Sequence, residues 1–327
     1  MAQHKPTALI FGISGQDGAY LARLLLDKGY RVIGTSRDAE QSPMTNLKEL
    51  GIFGRVTLRS AVPSDFRSVV QVLAAETPSE IYNLAAQSSV GLSFDQPAET
   101  LQGILNGTLN ILESMRVLKL DAKFYNASSS ECFGNTINAP ADESTAFNPC
   151  SPYGVGKAAA HWLVANYRSA YTLHACSGIL FNHESPLRQP RFVTQKVIRG
   201  VLDIADKKTA RLQLGNLAVC RDWGWAPDYV EAMWLMLQGE TAEDFVVATG
   251  VETSLEEFVA SAFRYCGLDW NNHVDLVPSL RRPSDISYSV GNAARVGERL
   301  GWVAHCKMPE LTGRLIDAEI ERRAKAR

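Results

Sequence analysis

Tyr153 and Lys157 stand four positions apart in Ser-Pro-Tyr-Gly-Val-Gly-Lys, a spacing that puts a phenol and an amine on one face of any helix opened by Ser151 or just after Pro152. An ammonium within a few ångströms favours the ionised phenol. The pair therefore predicts a tyrosine whose pKa falls from about 10 toward neutrality, where it can act as a base. Glu131, in the upstream run Ser-Ser-Ser-Glu-Cys-Phe-Gly, offers a second, separate proton-transfer group. With 10 tyrosines in the chain, a Tyr-x-x-x-Lys spacing arises readily by chance, so its meaning rests on the segments around it.

Thr7 to Phe11 is a short β-prone run that meets Gly12, Gly15 and Gly18, then an amphipathic stretch carrying Leu21, Leu24, Leu25 and Leu26. Strand, tight turn and helix give the three glycines a physical role. They let the backbone turn sharply and approach a pyrophosphate at the positive end of the helix. A glycine-rich turn without a ligand is the structural alternative. Arg31 to Thr35 predicts a second buried strand, and the residue closing such a strand selects the cofactor. An acidic side chain takes the ribose 2′-hydroxyl, an arginine a 2′-phosphate. Ser36-Arg37-Asp38 favours NADP through Arg37, with NAD through Asp38 as the alternative.

Glu80 to Ala86 reads as a strand running into small residues, among them Leu84 and Ala85, as needed where a loop passes under a bound cofactor. Leu101, Ile104, Leu105, Leu109, Leu112 and Met115 keep helical spacing and predict a core face. Lys123 to Ala127 is the next strand, which puts Ser128 to Glu131 at its C-terminal end, the edge where open parallel sheets hold ligands. The helix of Tyr153 continues through Trp162 and Tyr167, and a strand from Ala175 to Phe181 delivers Asn182 and His183. This alternation predicts an α/β fold: a doubly wound parallel Rossmann sheet with a smaller, interleaved C-terminal substrate domain. Residues 1–182 and 222–249 would form the dinucleotide-binding domain, and 183–221 and 250–327 the substrate domain, with Phe245 to Thr249 rejoining the main sheet. After Pro186, Arg188, Arg191, Lys196, Arg199, Arg211, Arg221, Arg281 and Arg282 are scattered cations. Some should face a phosphorylated ligand, the alternative for each being a solvated surface.

Composition narrows the partners. With 46% hydrophobic and 21% charged residues among 327, the chain can bury a large core, and a net charge of −2 without a block of like charges leaves no footprint for nucleic acid or an anionic membrane. The expected partner is a small molecule. Six cysteines form no Cys-x-x-Cys pair, the first apolar run is too short for a leader, and no run approaches the ~20 apolar residues of a membrane span. These features predict a reduced, cytoplasmic protein. No histidine cluster has metal-ligand spacing, so no metal is expected.

Six segments carry a resemblance that covers nearly the whole chain: Gly-Ile-Ser-Gly-Gln-Asp-Gly, Ile-Tyr-Asn-Leu-Ala-Ala-Gln-Ser, Ser-Ser-Ser-Glu-Cys-Phe-Gly, Ser-Pro-Tyr-Gly-Val-Gly-Lys, Leu-Phe-Asn-His-Glu-Ser-Pro and Arg-Asp-Trp-Gly-Trp-Ala-Pro-Asp-Tyr-Val-Glu-Ala-Met-Trp. Together they resemble the GDP-mannose 4,6-dehydratases, a branch of the extended short-chain dehydrogenase/reductases. The first and fourth are shared across that superfamily, whereas Asn-His-Glu-Ser-Pro and Arg-Asp-Trp-Gly are more specific to the branch. The resemblance implies conversion of GDP-mannose to GDP-4-keto-6-deoxymannose by internal hydride transfer and water elimination, with a retained nicotinamide cofactor. Tyr153 would take the 4-hydroxyl proton, Lys157 would hold the phenolate and the cofactor ribose, and Ser129 would hydrogen-bond the developing ketone. Glu131 would remove the C5 proton and assist loss of the 6-hydroxyl.

Carried over in the same way, cofactor contacts fall at Gly12, Gly15, Gln16, Asp17, Gly18, Arg37, Leu84, Ala85, Tyr153, Lys157, His183 and Arg188. Substrate contacts fall at Ser88, Asn182, Lys196, Arg221, Arg282 and Asp285. His183 is expected to shape the site as a loop residue. A related GDP-4-keto-6-deoxyhexose reductase or NDP-sugar epimerase is the alternative. It needs only phenol, amine and hydroxyl, so Glu131 is the residue that separates the readings, its structural alternative being a carboxylate at a helix start. A catalytically silent dinucleotide sensor could dispense with Tyr153, Lys157 and Glu131 altogether. The chain departs from the family pattern at Phe11 and Ser129, where threonine is usual. Leu187 and Gln195 replace basic residues near the expected diphosphate, and Ser60-Ala61-Val62 replaces Gly-Asp-Leu. The Arg- and Ser-rich loop that joins two dimers in the family is absent at 38–43, so a homodimer is expected, with a tetramer left open.

Overall fold

The computed structural model describes residues 5–137, 139–280 and 282–325, so Arg281 lies outside the described residues. In chain order the first half runs β1 (Thr7–Phe11), α1 (Gln16–Asp27), β2 (Arg31–Ser36), α2 (Thr45–Glu49), β3 (Thr57–Ser60), α3 (Phe66–Glu76), β4 (Glu80–Asn83), α4 (Val90–Asp95), α5 (Pro97–Leu101), α6 (Gly107–Leu118), β5 (Lys123–Ser129), α7 (Pro152–Tyr171) and β6 (Ala175–Leu180). The second half runs β7 (Asn182–Glu184), α8 (Val193–Ala205), β8 (Leu212–Leu214), β9 (Cys220–Trp225), α9 (Ala226–Gln238), β10 (Phe245–Val247), β11 (Glu252–Ser254), α10 (Leu255–Tyr265), β12 (Val274–Leu276), β13 (Tyr288–Ser289), α11 (Ala294–Leu300) and α12 (Glu310–Lys325).

Seven parallel strands form the main sheet in the order β10-β6-β5-β4-β1-β2-β3. The strands are apolar in consecutive positions because both faces are covered. Ala8 and Ile10 of β1 pack on one face with Leu21 and Leu25 of α1 and Tyr229 and Met233 of α9. Leu9 and Phe11 pack on the other with Leu73 of α3, Ile111 and Met115 of α6 and Val164 of α7. Phe11 is thus a fully buried core filler. The late strand joins as expected: β10 pairs in parallel with β6, Val246 opposite Ile179.

Chain order reverses between β1 and β4, and such a switch point opens a crevice at the C-terminal ends of the strands. A second set of elements covers that crevice. β9 lies at the centre of a small sheet with β7, β11 and β13, and β8 pairs with β12. Their core is separate, built from Val197 and Val201 of α8, Leu214 of β8, Phe258 of α10 and Leu315 of α12. Asp222 ties the two regions together. Buried on β9, its carboxylate accepts from Thr249 N, Thr249 Oγ1 and Gly250 N at 2.9, 2.7 and 2.8 Å, which fixes the segment after β10 against β9. The expected apolar stripe of residues 101–115 is interrupted by a π turn, Gln102–Asn106, between α5 and α6. That turn sets Ile104 against Tyr153, and Gly103 beside it lines the crevice.

Candidate active site

Gly12 closes β1 with a φ of 88°, and a Cβ there would lie 2.7 Å from Leu84 O and 2.8 Å from Ala85 N. At Gly18 a Cβ would lie 2.4 Å from Gly12 O. These two glycines are demanded by the packing of turn against strand and helix. Gly15 is the N-cap of α1 and supplies no side chain, so the first-turn N–H groups of the helix are left for the crevice that Gly15 lines. Ala86, where β4 opens into the same crevice, is held at a φ of 121°, a strained setting for a residue with a Cβ.

Asp17, in the first turn of α1, pairs with His183: Nε2 lies 3.0 Å from Asp17 Oδ2, and Nδ1 lies 2.8 Å from Phe181 O. Gln16 completes the group, its amide donating to Asp17 Oδ1 at 2.9 Å and its carbonyl accepting from Ser185 Oγ at 2.7 Å. Burial opposes the Asp17 charge, but His183, Gln16 and Arg188 outweigh it and bring the carboxyl down to about 2. For His183 burial pulls down and Asp17 pulls up, with Asp17 winning. His183 is not the loop residue expected. It belongs to β7, a three-residue strand that pairs with β9, and its ring stacks on Tyr229 at 4.5 Å. A strand this short, whose partner lies some forty residues on, leaves no periodic mark in the sequence.

At the end of β2, Arg37 lines the crevice together with Ser36 and Ser42, whose hydroxyls lie 2.5 Å apart. Asp38 serves its own turn, where its carboxylate accepts from Glu40 N and Gln41 N, both at 3.0 Å.

The reactive groups come from β5 and α7. Ser129 ends β5, and its Oγ accepts from Glu131 N at 3.3 Å in a short 3₁₀ turn, Ser130–Cys132. Ser151 caps α7, accepting from Gly154 N at 3.0 Å, with Pro152 in the first helical position. Tyr153 and Lys157 therefore leave the same buried face. The Lys157 ammonium donates to Ala127 O on β5 at 2.6 Å and lies 5.8 Å from the centre of the Tyr153 ring.

The phenol does not follow the sequence expectation. Burial is the largest influence on Tyr153 and lifts it above the usual phenol range, while the Ser129 hydroxyl pulls the other way. Lys157 is itself brought down to about 8 by burial. Its charge is aimed at a backbone carbonyl, and desolvation, which four-residue spacing cannot reveal, dominates both groups. Burial also raises the Glu131 carboxyl, against the pull of Arg221 and Arg282. Those arginines lean on one carboxylate, Arg221 Nη2 at 3.0 Å and Arg282 Nη1 at 3.4 Å from Asp285 Oδ1.

A single cleft of about 1020 Å³ gathers the candidate groups, with Asp38 and Ser151 outside its wall. The turn contributes Gly12, Gly15, Gln16, Asp17 and Gly18, and β2 contributes Arg37. Leu84, Ala85 and Ser88 follow β4, and Ser129, Glu131, Tyr153 and Lys157 form the reactive group. Asn182, His183, Arg188, Lys196, Arg221, Arg282 and Asp285 complete the set, so every expected site residue reaches the cleft. Of the departures, Leu187 lines it but Gln195 does not. The Gln195 amide is buried and donates to Ser185 O at 3.0 Å, and Arg191 adds a cation to the cleft wall that the family resemblance did not point to. Glu184, Thr194 and Asn216 also line the cleft, beyond the residues expected from the sequence. Glu184 was visible in Asn-His-Glu-Ser-Pro, and it accepts from Thr194 Oγ1 at 2.6 Å. Asn216 had no signal. Among the described residues, no helix is long and apolar enough to cross a membrane.

Comparison with known proteins places this site in a family. A family model described as GDP-mannose 4,6 dehydratase matches residues 9–315. The chain is similar to GDP-mannose 4,6 dehydratase 1 of Arabidopsis thaliana, 42% identical over 324 residues that cover 96% of this chain and 90% of that protein. It is 39% identical over 346 residues to the Homo sapiens GDP-mannose 4,6 dehydratase, covering 98% and 93%. In fold it is like the dTDP-glucose 4,6-dehydratase of Streptomyces venezuelae solved with NAD, at a TM-score of 0.87 and 21% identity over 98% of both chains.

Proposed function

This chain belongs to the GDP-mannose 4,6-dehydratase family, and we propose that it removes water from GDP-mannose to give GDP-4-keto-6-deoxymannose. The observation that carries this reading is Glu131. It lines the same cleft as Ser129, Tyr153 and Lys157, which supplies the additional carboxyl that elimination requires and that simple reduction or epimerisation does not.

In this reading Tyr153 takes the proton of the sugar 4-hydroxyl once its buried phenol is ionised, which the positive charge of an oxidised nicotinamide together with Lys157 would favour, and the Ser129 hydroxyl donates to the oxygen as it becomes a ketone. Lys157, fixed on Ala127 O, supplies positive charge beneath the phenol. The new ketone acidifies the C5 hydrogen. Glu131 takes that proton and delivers it to the 6-oxygen, so that the C6–O bond breaks, water leaves and a C5=C6 bond forms. A carboxyl with a raised pKa suits both halves of that transfer. A bound nicotinamide dinucleotide would supply the hydride chemistry, taking hydride from C4 and returning it to C6, while Glu131 brings a proton from solvent to C5 and Tyr153 gives up to solvent the proton it took. Gly12 and Gly18 keep the turn tight, and the open first turn of α1 suits a diphosphate. NADP is supported over NAD because Arg37 lines the cleft while the Asp38 carboxylate is engaged with two amides. Arg221, Arg282 and Lys196 are the cations for the sugar nucleotide, with Asn182 and Ser88 beside them.

Residues 1–182 and 222–249 serve the cofactor, and 183–221 and 250–327 the sugar nucleotide. For assembly we favour a homodimer, supported by Val155 and Trp162, which are seven positions apart on one face of α7 and remain 47% and 62% exposed. Purified protein given GDP-mannose and no added reductant should form the 4-keto product. Untouched GDP-mannose, with NADPH consumed on a keto sugar instead, would replace this reading with that of a reductase.

A further inference from the structure

We propose that His183 is a buried imidazolium whose positive charge cancels Asp17 at the first turn of α1, so that the turn can receive the diphosphate of a dinucleotide; the inference rests on the cofactor reading above. Both ring nitrogens face accepting oxygens, one a backbone carbonyl and the other the Asp17 carboxyl, which its neighbours hold ionised. Nδ1 is 2.8 Å from the Phe181 carbonyl and Nε2 is 3.0 Å from the Asp17 carboxylate. A neutral imidazole has one N–H and would leave one of these contacts without a proton, so the geometry calls for two N–H groups and a charge of +1. The ring is held in place by stacking on Tyr229 at 4.5 Å and an interplanar angle of 22°.

Asp17 creates the need for that charge. It stands in the first turn of the helix whose N-terminus Gly15 leaves open, and it lines the same cleft. An unpaired carboxylate there would occupy the positive end of the helix and repel an incoming diphosphate. The other groups acting on the pair are few. Gln16 donates to Asp17 from α1, and Arg188 opposes the His183 charge while adding to the neutralisation of Asp17. Lys157 of α7 feels Asp17 and points to Ala127 O. Tyr229 of α9 presents an apolar ring face. His183 is therefore the cation in hydrogen-bonding contact with Asp17, and it acts on the ligand through Asp17 as a positioning residue.

The test compares NADPH binding, read by energy transfer from tryptophan to the nicotinamide, in wild type, His183→Gln, Asp17→Asn and the double variant, with circular dichroism to verify the fold. His183→Gln should bind about five- to thirtyfold more weakly than wild type, and the double variant should bind at least about threefold more tightly than His183→Gln, whatever Asp17→Asn alone costs as a cofactor contact. A purely structural contact would make the double variant no better than His183→Gln, and that result overturns the proposal. So does His183→Gln binding as wild type does. Imidazole ¹⁵N shifts give a readout that needs no cofactor: a doubly protonated His183 at neutral pH is expected, and a neutral ring refutes the proposal. Failure of wild type to bind any nicotinamide dinucleotide, with the ring still doubly protonated, would instead remove the cofactor reading on which the proposal stands.

Discussion

Replacing Glu131 by Gln keeps the length and polarity of the side chain and removes its ability to carry a proton. The surroundings limit the structural cost. Arg221 and Arg282 both retain Asp285, at 3.0 and 3.4 Å, so neither is left without a carboxylate. A change in stability within about 1 kcal/mol is expected. A positioned acid or base contributes about 10²- to 10⁴-fold to rate, or roughly 3–5 kcal/mol of barrier, so turnover of GDP-mannose should fall by that factor with KM within about threefold. Mass spectrometry in deuterated water follows the step directly, because every product molecule gains one deuterium at C5, and in the variant that labelled product should accumulate more slowly by the same factor as turnover. The pH profile adds a second readout. Since burial raises the Glu131 carboxyl, its basic form is populated only above the ordinary carboxylate range. The acid limb of the wild-type profile should lie correspondingly high and vanish in the variant. Turnover within threefold of wild type, or a loss confined to KM, would refute the assignment of Glu131 as the proton carrier.

Lys157→Met should abolish turnover yet stabilise the protein near pH 7 by about 2 kcal/mol, a gain in melting temperature that calorimetry can read. The buried ammonium is held down to about 8 from 10.5, so it opposes folding below about pH 8, and that cost fades as pH rises toward 10.5. The expected gain already includes the loss of the bond to Ala127 O. Gly12→Ala should cost about 2–4 kcal/mol in urea unfolding and abolish dinucleotide binding, because its Cβ would meet backbone at 2.7 Å from a φ of 88°. Arg37→Ala should weaken NADP binding by about 10- to 100-fold and leave NAD within threefold, as measured by calorimetric titration.

The parts of this molecule that were legible in the sequence are those whose physics is local. Glycines 12, 15 and 18 between a β-prone run and an amphipathic one specify strand, turn and helix through sterics alone. The four-residue step from Tyr153 to Lys157 specifies a shared helix face. Alternating strands and helices specify the doubly wound sheet, and even the late strand β10 carried its own apolar run. What was not legible depends on groups brought together from afar. Burial by distant elements raises Tyr153 against the expected direction and brings Lys157 down. β7 exists only because β9 lies beside it, so His183 looked like a loop residue. That the Gln195 amide would donate to Ser185 O was likewise not legible. The π turn at Gln102–Asn106 breaks a stripe that periodicity alone makes continuous.

Asp285, seated between Arg221 and Arg282, means that an arriving anion never meets two bare guanidinium groups. It must compete with a resident negative charge. A neutral hexose gains nothing from that exchange, and a singly charged ligand roughly breaks even. A nucleoside diphosphate sugar carries enough charge to hold both cations and still tolerate the carboxylate alongside. The trio thus counts charge before any contact with the sugar is made, and Asp285→Asn would be expected to blunt that count, letting singly charged phosphodiesters compete with a doubly charged nucleotide sugar.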